Sequence, residues 1–400
     1  MDTTVPVLVI NRPYDDGAVA VARTLGRLGV PVYVISQEGL RTPVRSSRYW
    51  AGKFRGDFTS TAEECLAFML DAGRALEAKH GARPILLTFS DNSAVFIERN
   101  ADALAEAFVF PRAAHPVIHR LLDKSAMHVL AQEHGIPAPR TIGVSAPEDA
   151  ERFGELGPFP IVLKAADPFR ARRPPSRILT SERELRDAVA SEAAHGPLNF
   201  ILQEHIPGDV ESVWMCNGYF GATSERSLIY TGRKIRQIDA TGRASLGVCV
   251  PNETVAAQTR ALMEGVGYRG CVGIGWRYDS RDGRYKVLDV NARVTGVFRL
   301  FAGTNEMDGV RACYRDLTGQ PIPPSVLRPG RKWMVEDDLF ASLRSMARRE
   351  LGIGEWIRSM RGLRESQWFA LDDPLPFVLW LWGRTRLFVG DRLPLRGAAR

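Results

Sequence analysis

Residues 5–10 form an unbroken apolar run, residues 17–28 carry apolar positions at helical spacing up to Gly29, and residues 30–35 form a second apolar run. That succession predicts strand, helix and strand. The unit repeats more loosely, with a helix over 62–79, a strand over 84–89 and a helix over 93–106. Such alternation predicts a parallel sheet covered by helices on both faces. Sheets of this kind bind ligands beyond the carboxyl ends of their strands, which singles out residues 11–16 and 90–93. Polar residues there also suit helix capping and turns.

The texture changes near His115. A helix is expected over 121–134, closed by Gly135 and the turn Ile136-Pro137-Ala138-Pro139. Separated strands follow at 161–164, 199–204, 212–216, 227–230, 271–278 and 285–290, interrupted by helices at 182–194 and 254–266. Antiparallel strands with segregated helices predict an α+β unit. Pro321, Pro323, Pro324 and Pro329 mark a turn-rich passage. Beyond it lies a basic, tryptophan-rich tail holding Trp333, Trp356, Trp368, Trp380 and Trp382. The chain therefore divides into 1–115, 116–320 and 321–400.

Composition changes this picture little. At 400 residues, 45% apolar and 25% charged, the chain is an ordinary multidomain globular protein. The net charge of +7 is largely a property of the tail, where 14 lysines and arginines face 9 acids. No block of like charge or nucleic-acid-binding motif accompanies it, so a solvated surface is expected and nucleic acid is not. Cys65, Cys216, Cys249, Cys271 and Cys313 show no C-x-x-C pair and read as buried thiols. The acidic N-terminus lacks signal-peptide character, and no apolar run reaches the ~18 residues that span a bilayer. A cytoplasmic protein without transmembrane segments is expected.

Lys164 ends an apolar run where its charge would emerge at a cleft, and Lys124 opens a helix. Two converging cations suit a polyphosphate, although each alone also suits a solvated surface. The strand ending in Gln203-Glu204-His205-Ile206 runs into a Pro-Gly turn and Asp209. Backbone there can meet a purine edge and a carboxylate the ribose, or the segment is a plain hairpin. Asp289, Asn291 and Arg293 share one strand face, an arrangement that suits Mg²⁺ and phosphate better than a core.

In this order, LLDKSAMHVLAQEHGIPAP, IVLKAADP, ILQEHIPGDVESVW, YTGRKIRQ and GYRGCVGIGWRYDSRDGRYKVLDVNARVTG resemble the ATP-grasp superfamily, most of all its carboxylate–amine ligases, over about residues 5 to 320. The resemblance implies an ATP-grasp fold with an N-terminal Rossmann-like domain, α/β then α+β, and a helical C-terminal extension. By similarity Lys124 and Lys164 hold ATP phosphates, Gln203, Glu204, His205 and Ile206 meet adenine, and Asp209 or Glu211 takes ribose. Asp289 and Asn291 bind magnesium, Arg293 contacts the transferring phosphate, and Arg233, Lys234, Arg236 and Gln237 are candidates for gripping the acid or the migrating phosphoryl group. The implied reaction makes an acyl phosphate from a small acid and passes it to an amine, amino acids or small peptides being the commonest substrates. A nucleotide-binding module without turnover and a small-molecule kinase are the rivals.

Three departures from the family pattern stand out. The loop over residues 167–175 is arginine- and proline-rich where small residues are usual. Asp289 stands where glutamate is commoner. The preceding strand presents Gly273 and Gly275 where an acidic metal ligand is expected. In the tail, residues 376–382 form an aromatic stretch flanked by Arg384 and Arg386, which suits either packing on the core or an interface, a homo-oligomer included.

Overall fold

The computed structural model describes residues 1–11, 17–36, 42–56, 61–170, 173–238 and 242–390, with side chains to 385. The first unit contains β1 (Val7–Asn11), α1 (Ala18–Gly26), β2 (Val32–Ser36), β3 (Trp50–Arg55), α2 (Ala62–His80), β4 (Ile85–Thr88), α3 (Asp91–Arg99) and α4 (Ala101–Leu104). Its strands pair in the order β3-β2-β1-β4, all parallel. The apolar runs of β1 and β2 are buried throughout, as expected for strands covered on both faces. The chain moves outward from β1 to β3 and then returns to β4 on the other side of β1. The topological switch point therefore lies at Asn11 and Thr88. The single helix expected over 93–106 is two, broken at Asn100, whose amide donates to the Phe96 carbonyl.

Next come α5 (Val117–Leu122), α6 (Lys124–Glu133), β5 (Thr141–Val144), β6 (Ile161–Ala165), β7 (Arg177–Leu179), α7 (Glu182–Ala193) and β8 (Phe200–Glu204). The helix expected over 121–134 is also broken, because Asp123 adopts an extended backbone and caps α6 through the Ala126 N–H. A small antiparallel sheet runs β5-β8-β6-β7. One face buries Ile161, Leu163, Phe200 and Leu202 against Leu185 and Val189 of α7. The other face carries Lys164 and Gln203.

The remaining elements are β9 (Val213–Phe220), β10 (Leu228–Gln237), β11 (Ala244–Cys249), α8 (Glu253–Gly265), β12 (Gly270–Asp279), β13 (Arg284–Asn291), α9 (Gly309–Leu317), β14 (Lys332–Met334), α10 (Asp337–Ala347), α11 (Ile353–Met360), β15 (Leu363–Ser366) and α12 (Leu375–Gly390). They build a seven-stranded sheet ordered β13-β12-β9-β10-β11-β14-β15. The tail is thus continuous with the fold, since β14 and β15 extend the sheet past residue 321. β15 and the loop after it are fastened by buried charge. Arg23 of α1 donates to Asp373 at 2.9 Å and to three carbonyls of residues 367–373. Arg299 and Arg331 both donate to Glu365.

Glycine permits two close approaches, one between units and one within the large sheet. A Cβ on Gly17 would lie 2.8 Å from the Gly296 Cα, so the N-terminal unit approaches the segment after β13 only because residue 17 lacks one. A Cβ on Gly232 would meet the Val248 carbonyl at 2.5 Å within the large sheet.

Candidate active site

Three elements, α6, β6 and β13, converge between the small sheet and the seven-stranded sheet. The Lys124 N–H donates to the Ala166 carbonyl at 3.0 Å, which ties the start of α6 to the end of β6 and sets Lys124 beside Lys164. Lys124 reaches across to β13, its Nζ donating to Asp289 Oδ1 at 2.5 Å. Asn291 Nδ2 donates to the other Asp289 oxygen at 3.0 Å, and Arg293 Nη2 donates to Asn291 Oδ1 at 3.0 Å. Arg293 Nε donates to Asp91 Oδ1 at 2.5 Å, so the residue just beyond β4 joins the cluster from the N-terminal unit. The structure therefore unites Lys124, Lys164, Asp289, Asn291 and Arg293, all expected from sequence, and adds Asp91. Its place beyond the carboxyl end of a parallel strand was the signal for that addition.

Electrostatics make the cluster a cationic cleft. Desolvation pushes the Lys164 ammonium down, and Lys124 alongside pushes it further, to about 8 despite the opposing pull of Asp289. Lys124 is desolvated too, but Asp289, Asp91 and Asp123 outweigh that and raise it. Desolvation raises the Asp289 carboxyl, yet Lys124, Lys164 and Arg293 hold it below the ordinary carboxylate value. Asp289 keeps 45% of its side-chain surface open, so a ligand can reach it. Lys164 Nζ donates to Gln203 Oε1 at 2.9 Å, and Gln203 Nε2 donates to Thr141 Oγ1 at 3.0 Å. Gln203 thus orients a lysine that ligand phosphates can recruit.

Gly275 pairs with Asp289 and Gly273 with Asn291, so both glycines lie under the two donors. They are not equivalent. A Cβ on Gly273 would lie 2.5 Å from Thr295 Cγ2, and Thr295 Oγ1 accepts from the buried Asn217 amide at 2.8 Å. A Cβ on Gly275 would meet nothing nearer than 3.9 Å. The open position beside Asp289 is Gly275. No group of three or more His, Cys, Asp or Glu side chains suited to a metal occurs among the described residues.

Comparisons with known proteins bear on the fold that carries this cluster. No family model matches the chain. Over 229 residues it is 27% identical to D-aspartate ligase of Enterococcus faecium, a match covering 52% of this chain and 53% of that protein. The chain thus spans about half the length of the curated relative it matches. Among solved structures, the L-amino acid ligase of Bacillus licheniformis superposes with a TM-score of 0.60 at 12% identity, covering 83% of this chain and 79% of that one. An ADP complex of N5-carboxyaminoimidazole ribonucleotide synthetase gives 0.61 at 14% identity, covering 82% and 81%. The corresponding synthase of Aspergillus clavatus, complexed with ATP, gives 0.59 at 15% identity, covering 83% and 81%.

The chain has the ATP-grasp fold.

Within that fold the remaining expected residues divide. Glu204 follows Gln203 on β8 and so faces the other way. Its carboxylate accepts from Arg140 at 3.0 Å and from Lys286 at 3.2 Å, with Arg281 3.6 Å away. Its side chain is committed there, leaving only its main chain on the Lys164 side of the strand. His205 and Ile206 continue from β8 into the turn, Ile206 buried and His205 half-buried. Asp279, buried with Lys286 and Arg281 as partners, holds the β12–β13 turn and does not join Asp289. Asp209 caps the turn before β9, accepting from the Glu211 and Ser212 N–H groups, and Glu211 pairs with Arg233 at 3.0 Å.

One expectation is corrected outright. Arg236 does not reach the cleft: its Nε and Nη2 donate to the fully buried Asp338 at 3.0 and 2.6 Å, and Nη1 donates to Ser359 at 2.6 Å. Register shifts in the β10–β11 pairing around Arg236 turn it toward the tail helices. Sequence alone could not show those bulges. Lys234 donates to the Gly242 carbonyl. Of the loop 167–175, Asp167 is anchored by its N–H to Asn199 at 3.0 Å, and Phe169 packs on His119 with centroids 5.2 Å apart. Ala171 and Arg172 lie outside the described residues, as do residues 12–16 of the first loop.

Proposed function

We propose that this chain is an ATP-dependent ligase that activates a small carboxylic acid as an acyl phosphate and joins it to an amine, releasing ADP and phosphate. The observation that carries the reading is the cleft in which Lys124, Lys164 and Arg293 surround Asp289 and Asn291. Three cations converge there, offset by Asp289, Asp91 and Asp123, and a bound polyphosphate can draw on all three at once. The likeness to D-aspartate ligase favours an amino acid or short peptide as substrate.

Lys124 and Lys164 bind phosphate oxygens, and Lys124 exchanges its Asp289 contact for them. The main chain from Gln203 to Ile206 meets adenine, and Asp209 or Glu211 meets ribose. Asp289 and Asn291 offer hard oxygens on one strand face, a donor set that fits one magnesium ion. Such an ion, when bound, neutralises phosphate charge. Arg293, steadied by Asp91, faces the group being transferred, and positioning with charge neutralisation supplies most of the catalysis. Asn11 and Ser36 end the two central strands on the carboxyl side of the first sheet, where Asn11 Oδ1 and Ser36 Oγ are buried without a hydrogen-bond partner among the described residues. Arg233, tied to Glu211 at the other side, is the remaining candidate for the acid.

No helix among the described residues is long and apolar enough to cross a membrane. We place the reaction in the cytoplasm, where ATP is supplied. Hydroxylamine tests the reading: with ATP, magnesium and the right acid but no amine, it should trap a hydroxamate while ADP accumulates. AMP in place of ADP would mean adenylation and would overturn the acyl phosphate.

A further inference from the structure

β12 carries a cation that the contacts described so far leave unused. Val272, Ile274 and Trp276 are buried together in the core behind the strand. By alternation Gly273, Gly275 and Arg277 share the opposite face, the one on which Gly275 pairs with Asp289. Arg277 stands two positions on from Gly275, about 6.5 Å farther along the strand. That step carries it away from Asp289 and toward the Pro207-Gly208 turn, where its Nη2 donates to the Gly208 carbonyl at 2.5 Å.

The guanidinium is only partly satisfied there. It is half-buried, burial disfavours its charge, and its Nε is enclosed without a hydrogen-bond partner. No carboxylate forms an ion pair with it among the described residues. Asp209 and Asp279 attract it only from a distance, because Asp209 caps its own turn and Asp279 is held by Arg281 and Lys286. Desolvation above all makes Lys164 and His205 hard to protonate, and the charge of Arg277 adds to it at both. The guanidinium is therefore within electrostatic reach of the lysine on the phosphate side and of the turn on the nucleoside side. A half-buried cation with a spare N–H donor is stabilised by an anion that reaches it.

We propose that Arg277 binds the α-phosphate of the nucleotide, the one that adjoins the ribose. Asp289 and Asn291 mark the metal end of the polyphosphate, and the turn after β8 marks the nucleoside end. The phosphate between those ends falls beside Arg277. The planar fork can keep one N–H on the Gly208 carbonyl while the others turn to phosphate oxygens, which a lysine ammonium does less well. The assignment rests on the nucleotide reading of the cleft proposed above.

Calorimetric titration of the full chain and of Arg277→Gln with ADP and AMP, with adenosine followed by saturation-transfer NMR, tests it. The variant should bind ADP and AMP about tenfold or more weakly and adenosine as the wild type does. Thermal unfolding should be unchanged, because the Arg277 side chain hydrogen-bonds only the Gly208 carbonyl among the described residues. Arg277→Lys, which keeps the charge and loses the fork, should fall between the two. ADP affinity in Arg277→Gln equal to that of the wild type would overturn the proposal. So would an equal loss of adenosine, which would mean that the guanidinium stacks on the base or merely holds the turn. A wild type that binds none of the three would overturn the nucleotide reading itself, a failure distinct from an unaffected variant.

Discussion

Lys124 and Asp289 stand 2.5 Å apart, Nζ to Oδ1, although they are 165 positions apart along the chain. The contact links the first residue of α6 to the strand that carries the candidate metal donors. It leaves Lys164, 40 residues on from Lys124, as the more weakly protonated partner of the two.

Replacing Lys164 with alanine is expected to lower ATP turnover by at least roughly 10- to 100-fold, the value of a charge-assisted hydrogen bond of about 1.5–3 kcal/mol. Thermal stability should not fall, because among the described residues the Lys164 side chain hydrogen-bonds Gln203 alone and its desolvated ammonium opposes folding at neutral pH. Steady-state kinetics with pooled acids and amines check this, and near-normal turnover would remove Lys164 from the nucleotide site.

The same lysine sets a pH dependence. Its protonated form is the one that holds phosphate, and it is pushed down to about 8, so nucleotide affinity should fall as pH rises through 8. The sign for folding is opposite. Because the Lys164 amine is harder to protonate in the fold than in the unfolded chain, it opposes folding in full below about 8, and that opposition fades as pH rises toward the ordinary lysine value. Calorimetric titration of an ATP analogue from pH 7 to 9.5 reads the first effect, and an affinity flat across that range would contradict it.

Gly273 and Gly275 should respond differently to an introduced acid. Gly275→Asp has open space beside Asp289 and is expected to lower the magnesium requirement and tighten Mn²⁺ binding measured by electron paramagnetic resonance. Gly273→Asp must displace Thr295 and is expected to lower the melting temperature without improving metal binding. If Gly273→Asp is the variant that strengthens metal binding, the assignment of the open position is wrong.

Arg236→Ala is expected to act on stability. Asp338 has no exposed surface, and removing the cation of such a pair costs about 3–5 kcal/mol, because a carboxylate is left buried. Ser245 and Ser342 can satisfy it only in part. Urea unfolding reads the loss. A variant as stable as the wild type but unable to turn over ATP would return Arg236 to the cleft.

Sequence made the cluster legible where side chains are fixed by strand parity or chain order. Asp289 and Asn291 share a face because they are two apart on β13, and Lys124 and Lys164 mark element ends that apolar runs delimit. It failed where the answer depends on distant pairing. The register shifts around Arg236 lie in its pairing with β11, and the fully buried Asp338 that claims it is in the tail, 102 positions away. In β11, Ala244, Leu246 and Val248 alternate with Ser245 and Gly247, a short run of small residues that becomes a fully buried strand through its pairing with β10 and β14. β14 and β15, three and four residues long, owe their existence to pairing with β11 and with each other. That Glu204 would turn from Gln203 toward Lys286 follows from strand alternation, but the destination was visible only in the fold.

The central claim is that nucleotide is consumed to make an amide. The most direct measurement incubates the purified chain with ATP, magnesium and pools of amino acids, D-aspartate among them, and follows nucleotide and amide products together by mass spectrometry. ADP, phosphate and a new amide in equal amounts are expected. Nucleotide that binds but is not consumed with any acid and amine would contradict the claim, and would make the chain a binding module in which Asp289 and Asn291 lack the further carboxylate that turnover requires.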